Sequence, residues 1–104
     1  MSASDHKKHL PVMAQECIEY LHIHSDGIYM DATFGRGGHS QLILQELSTA
    51  GHLYALDQDL AAVEYGRSLF KNDSRVEVIH SNFEHLEEVL EKRDAIGHID
   101  GVLM

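Results

Sequence analysis

From residue 28 onward, short apolar runs take turns with stretches of helical period, and that alternation leaves the chain very few folds. Residues 28–32, 52–57 (HLYALD), a run around Val76, Val78 and Ile79, and residues 99–104 read as strands. Between them the apolar residues return at helical spacing: Leu42, Ile43, Leu44 and Leu47, then Leu60, Val63, Leu69 and Phe70, then Leu86, Val89 and Leu90. Crossovers of this length join parallel strands and run right-handed, so the pattern predicts an α/β fold, a parallel sheet with helices on both faces. Local punctuation fits: Ser25-Asp26-Gly27 as a turn, Gly51 as a helix stop, Asp59 as a helix cap, Asn72-Asp73-Ser74 as a turn, and Ser81-x-x-Glu84 as a capping box. Upstream, Leu10, Met13, Ala14, Cys17, Ile18 and Leu21 form the apolar stripe of a further helix over roughly 11–22, with Pro11 in its first turn.

With 104 residues there is room for one domain and one core. No apolar run approaches the roughly 20 residues that span a bilayer, and the start, MSASDHKKHLPV, lacks the apolar region of a secretion signal, so a cytoplasmic protein is expected. Cys17 is the sole cysteine, so no internal disulfide can form, and its place in the helical stripe predicts a buried thiol. Eight Lys plus Arg against 17 Asp plus Glu give a net charge of −9, which repels a phosphate backbone over most of the surface. His6, Lys7, Lys8 and His9 make the only small basic cluster. The nine histidines include the pair His22-x-His24, but no Cys or acidic set joins it at metal-ligand spacing, and no metal site is expected. Glu84, Glu87, Glu88 and Glu91 recur at helical spacing ahead of Lys92 and Arg93, as on a solvated face aligned with the helix dipole.

The stretch YMDATFGRGGHSQLIL, residues 29–44, carries the chemistry. In open parallel sheets ligands settle beyond the carboxyl ends of the strands, where the first strand turns into its helix. Gly35, Gly37 and Gly38 remove side chains there, and the following helix offers free N–H groups. Asp57, at the end of the second strand, stands where a carboxylate accepts from the hydroxyls of a nucleoside ribose. Each feature alone is equally served by a tight turn or a strand-end cap; their joint spacing points to an adenosine-containing cofactor. A dinucleotide fingerprint starting at Gly35 would need glycine or alanine at position 40, and Ser40 stands there. S-adenosylmethionine carries no pyrophosphate, and Asp31, before the loop, is an acid suited to its ammonium.

In register along the chain, HLPVMAQECIEYL, DGIYMDATFGRGGHSQLIL, ALDQDLAA, the phenylalanine of SNFEHL and IDGVL closely resemble the amino-terminal part of the methyltransferase H family of bacteria, which methylates N4 of a cytidine in small-subunit ribosomal RNA. The resemblance runs from about His9 to Met104. It implies a Rossmann-like class I methyltransferase fold with strand order 3-2-1-4, and an S-adenosyl-L-methionine site in which Gly37, Gly38 and His39 hold the methionine end. In the same site Asp57 would take the ribose and Phe83 would flank the adenine, with Asp31, Thr33 and Gly35 completing the set. A phenylalanine that opens a helix after strand three is more often a core residue.

The family's next segment, an acidic Asp-Leu-Gly motif, does not appear before residue 104, nor do its helical insertion and remaining strands. The expectation is therefore a sheet cut short after strand four, with an apolar outer edge open to self-association. No catalytic residue is expected among these residues, and methyl transfer by this chain alone is not. A catalytically inactive protein binding an adenosine cofactor or a partner is the alternative, and a dinucleotide-binding module a third.

Overall fold

Four parallel strands lie in the order β3-β2-β1-β4: β1 (Ile28–Asp31), β2 (His52–Asp57), β3 (Val76–His80) and β4 (Gly101–Leu103). The computed structural model describes residues 22–32, 34, 35, 37–93 and 97–103. The helix expected over 11–22 falls outside them apart from His22, a turn residue at φ 50°. Thr33, Cys17 and the basic cluster also lie outside the described residues. Three helices connect the strands: α1 (Gly38–Glu46), α2 (Leu60–Leu69) and α3 (Leu86–Lys92), the last preceded by a 3-10 turn at Phe83–His85.

Register decides which helix covers which face. Tyr29 pairs with Leu53, Asp31 with Ala55, and Leu53 and Ala55 with Val76 and Val78, so these side chains share one face. Tyr29 and Leu53 pack with Leu42, Ile43, Leu44 and Leu47, and Ala55 and Val78 with Phe34 and Val63, which places α1 and α2 there. The alternate residues Met30, Tyr54, Leu56 and Ile79 form the opposite face and pack with Val89, with Leu86, Leu90 and Val102 against them. The expected α/β class, strand order and helices on both faces are all present. The Asp100 carboxylate accepts from the Ile28 N–H (2.8 Å) and the Asp100 N–H donates to the Ile28 carbonyl (2.7 Å), which ties the start of β1 to the approach to β4.

Two punctuation marks act differently from their sequence reading. Gly51 does not stop α1: the helix ends at Glu46, and Leu47 turns extended (φ −95°, ψ 140°) to bury its side chain, while the Ser48 N–H donates to the Ser25 carbonyl (2.7 Å) and draws the chain away. The capping box at Ser81 does not form either. Its N–H donates to the Asp57 carbonyl (3.0 Å) as an extension of the sheet, its hydroxyl to the Asn82 carbonyl (3.3 Å), and regular α-helix begins only at Leu86. The Asp59 cap does form, its Oδ1 accepting from the Ala61 N–H at 3.0 Å.

No basic residue stands in the last turn of α1 to meet its free carbonyls. Arg75 reaches them from the turn before β3: its Nη1 donates to Leu44 O (2.9 Å) and Leu47 O (2.7 Å), and its Nε and Nη2 grip the Asp73 carboxylate at 2.9 and 2.6 Å. Arg75→Ala strips charged donors from partly buried carbonyls, and about 2 kcal/mol of unfolding free energy should go with them in urea titrations. A change within about 0.5 kcal/mol, typical of an ordinary surface substitution, would contradict the anchoring role. The Arg75 hydrogen bond holds the Asp73 carboxyl below its ordinary value of 3.8, against the opposing effect of burial. Folding lowers this pKa, so the stability it contributes is present above 3.8 and is lost as pH falls through the folded value. Arg75→Ala should abolish that part of the acid sensitivity.

Candidate functional site

The path β1-α1-β2-α2-β3 winds outward on one side of β1, while β4 lies on its other side, so the sheet order reverses at β1. Such a reversal leaves a crevice beyond the carboxyl ends of the strands. Asp31 ends β1 there and Asp57 ends β2. The chain leaves β1 with the Ala32 N–H on Leu103 O (2.8 Å) and the Phe34 N–H on Leu56 O (3.1 Å), so the loop is held to both neighbouring strands. Gly35 and Gly37 then turn it through φ 57° and 85°, the left-handed region where a side chain is strained. The Gly37 N–H closes onto Phe34 O (2.8 Å), and Gly37 O accepts from the Gln41 N–H (2.9 Å) as α1 begins.

The Asp57 carboxylate joins this loop to the start of α2. Its Oδ2 accepts from the Gly35 N–H at 2.9 Å and its Oδ1 from the Asp59 N–H at 2.8 Å. Beside it opens a hollow of about 420 Å³ lined by Gly35, Asp57, Asp59, Ala61, Ala62 and Tyr65. Two carboxylates and a bare glycine together with small apolar groups and a tyrosine suit a ligand with hydroxyl donors and an apolar body.

The residues expected at the site divide by position. Gly35 and Asp57 share the hollow. Gly37 does not line it; it is buried, with a Cβ there meeting the Phe34 ring at 3.1 Å and Leu69 at 3.4 Å, so the bend that faces Asp57 is the one at Gly35. Gly38 and His39 open α1 half-buried, at a helix start that has no side-chain cap. Asp31 is fully enclosed, and its Oδ2 accepts from the Ser40 hydroxyl at 2.8 Å. Phe83 opens the 3-10 turn beyond β3.

Sequence reasoning read Ser40 as a mismatch and Asp59 as a cap alone, yet Ser40 bonds an enclosed acid and Asp59 lines the hollow. Spacing could have exposed Asp59, since Asp57-x-Asp59 puts two acids at a strand's carboxyl end. Asn82 was also passed over; its side-chain oxygen is buried without a hydrogen-bond partner just before Phe83. Among the described residues no group of three or more His, Cys, Asp or Glu could hold a metal ion, and no helix is long and apolar enough to cross a membrane.

Comparison with known proteins places the chain. The profile of the MraW methylase family matches residues 6–104. The ribosomal RNA small subunit methyltransferase H of Ureaplasma urealyticum serovar 10 is 50% identical over 94 residues, covering 90% of this chain and 30% of the relative. The protein of the same name from Legionella pneumophila strain Corby is 45% identical over 97 residues, covering 93% and 32%. The chain thus spans about a third of the length of these relatives. Among solved structures, an rRNA methylase from Streptococcus thermophilus superposes with a TM-score of 0.61 at 21% identity, over 77% of this chain and 49% of that one. A SAM-dependent O-methyltransferase from Thermotoga maritima gives 0.64 at 13%, over 72% and 29%. At such identities these two structures bear on the fold alone.

Proposed function

The chain belongs to the MraW methylase family, and on that premise we propose that it supplies the cofactor-binding part of an S-adenosyl-L-methionine-dependent methyltransferase acting on N4 of a cytidine in small-subunit ribosomal RNA. The observation that carries this reading is the Asp57 carboxylate, which holds the glycine loop by Gly35 and lines the hollow at the same time. A carboxylate has about four acceptor directions, and the two backbone N–H groups take one on each oxygen. The remaining directions suit the paired hydroxyls of a ribose.

Gly35 leaves that wall without a side chain, so a ligand can meet backbone. At the start of α1 the N–H groups of Gly38 and His39, with Gly37 before them, suit the carboxylate of a methionine end. Phe83 is proposed to flank the adenine, and the orphaned Asn82 oxygen is an acceptor of the kind its amine would satisfy. Asp31 and Thr33 remain proposed members of the set. S-adenosylmethionine, when bound, supplies an activated methyl group on a positive sulfonium. Cytosine N4 has its lone pair delocalised into the ring, so transfer demands an oriented amine and an extruded base. To none of these 104 residues do we assign that orienting role; their part is to bind and aim the cofactor. Ribosomal RNA as substrate implies the cytoplasm. The outer edge of β4 is included as a surface for self-association, and a concentration-independent monomer in sedimentation velocity would remove it.

Calorimetry tests the reading. S-adenosylmethionine and S-adenosylhomocysteine should bind saturably and NAD should not; binding of NAD alone would overturn it. The second reading is an adenosine-compound binder without methyl transfer. Transfer of tritiated methyl to small ribosomal subunits decides between the two.

A further inference from the structure

The Asp31 carboxylate is enclosed, on the sheet face that α1 covers. Ser40 is equally enclosed, and its hydroxyl donates to Asp31 Oδ2 at 2.8 Å. This bond runs from the last residue of β1 to the first turn of α1 and closes the glycine loop at its base. A buried carboxylate is costly unless hydrogen-bonded, so the link resists opening. The helix start has no side-chain cap of its own, and two left-handed residues precede it, so backbone geometry alone holds it loosely.

We propose that Ser40 is a positioning residue: through Asp31 it fixes where the N–H groups of Gly38 and His39 point, and so where the methionine end of the cofactor lies. The inference rests on the functional reading above. It gives Asp31 a role through Ser40 rather than through charge on the ligand's ammonium.

The test compares the unaltered chain with Ser40→Ala and Asp31→Asn, whose amide can still meet the Ser40 hydroxyl. Two probes are titrated by calorimetry: S-adenosylhomocysteine, and methylthioadenosine, which shares the adenosine and thioether but lacks the amino and carboxylate groups. Ser40→Ala should weaken S-adenosylhomocysteine about tenfold and methylthioadenosine by less than about twofold, the loss of one modest hydrogen bond at one end of the ligand. Amide hydrogen exchange at Gln41, whose N–H closes the first turn of α1 on Gly37 O, should accelerate by a similar factor. Asp31→Asn should keep the ratio of the two affinities. Should Ser40→Ala not fold, Ser40→Cys, a weaker donor of similar size, should give the same ordering at smaller amplitude.

Equal weakening of both probes would make Ser40 merely structural, and selective loss of S-adenosylhomocysteine binding in Asp31→Asn alone would restore direct contact by the acid; either overturns the inference. If the unaltered chain binds neither probe, the functional reading fails, and unchanged exchange at Gln41 in Ser40→Ala would then overturn the brace on its own.

Discussion

Phe34→Ala should cost about 3–5 kcal/mol of unfolding free energy, the largest stability loss we expect from a single substitution in the described residues. The ring is 2% exposed and packs with Ala55, Val63 and Val78 under α2, with Phe70 edge-on at a centroid distance of 6.1 Å. Two glycines make room for it: a Cβ at Gly66 would stand 2.7 Å from the ring and one at Gly37 3.1 Å. Truncation therefore leaves a void between a helix and a strand that cannot close without moving both. A domain of this size has about 5–15 kcal/mol in all, so the variant should be marginal at 37 °C. Because Phe34 belongs to the loop itself, cofactor binding should fall with stability. Urea denaturation checks the value, and a loss under about 1.5 kcal/mol would show that the ring is not the anchor its surroundings imply.

The second large effect is on binding. Asp57→Asn keeps the size of the side chain but replaces one acceptor oxygen with an N–H donor. In the native protein the two oxygens accept from Gly35 and Asp59 separately, so in the variant one of these backbone donors faces another donor. The ribose hydroxyls lose an acceptor as well. S-adenosylhomocysteine should bind about 100-fold more weakly, which corresponds to about 2.7 kcal/mol. Stability should fall by only about 1 kcal/mol, since both backbone bonds are exposed to water. A dissociation constant within threefold of the unaltered chain would remove Asp57 from the site.

What the sequence disclosed and what it withheld separate along a physical line. The parallel sheet, the helices on both its faces and the Asp59 cap follow from local periodicity and from rules that hold for any parallel sheet, the strand order followed from the family resemblance, and all are present. The capping box at Ser81 was just as visible locally, but its N–H is taken by Asp57 O, a partner 24 positions earlier that no local pattern reveals. Gly51 resembled a helix stop, whereas burial of Leu47 and the pull of Ser25 on Ser48 end the helix sooner. At the site, glycine spacing marked the loop without telling which bend faces the acid. That depends on where Phe34 is buried, and its burial under Gly37 and Gly66 turns Gly35 toward Asp57. Ser40 was the least legible of all, because a serine where a dinucleotide site wants glycine looks like a departure until its hydroxyl is seen on Asp31.

The central claim is that the bend at Gly35 and the carboxylate of Asp57 form one wall of an adenosine pocket. Titration of the chain with S-adenosylhomocysteine, followed by residue-resolved amide shifts, tests it most directly. The account predicts that Gly35, Asp57 and Asp59 move together and saturate with a single dissociation constant. Saturable binding that leaves those three amides in place would contradict it.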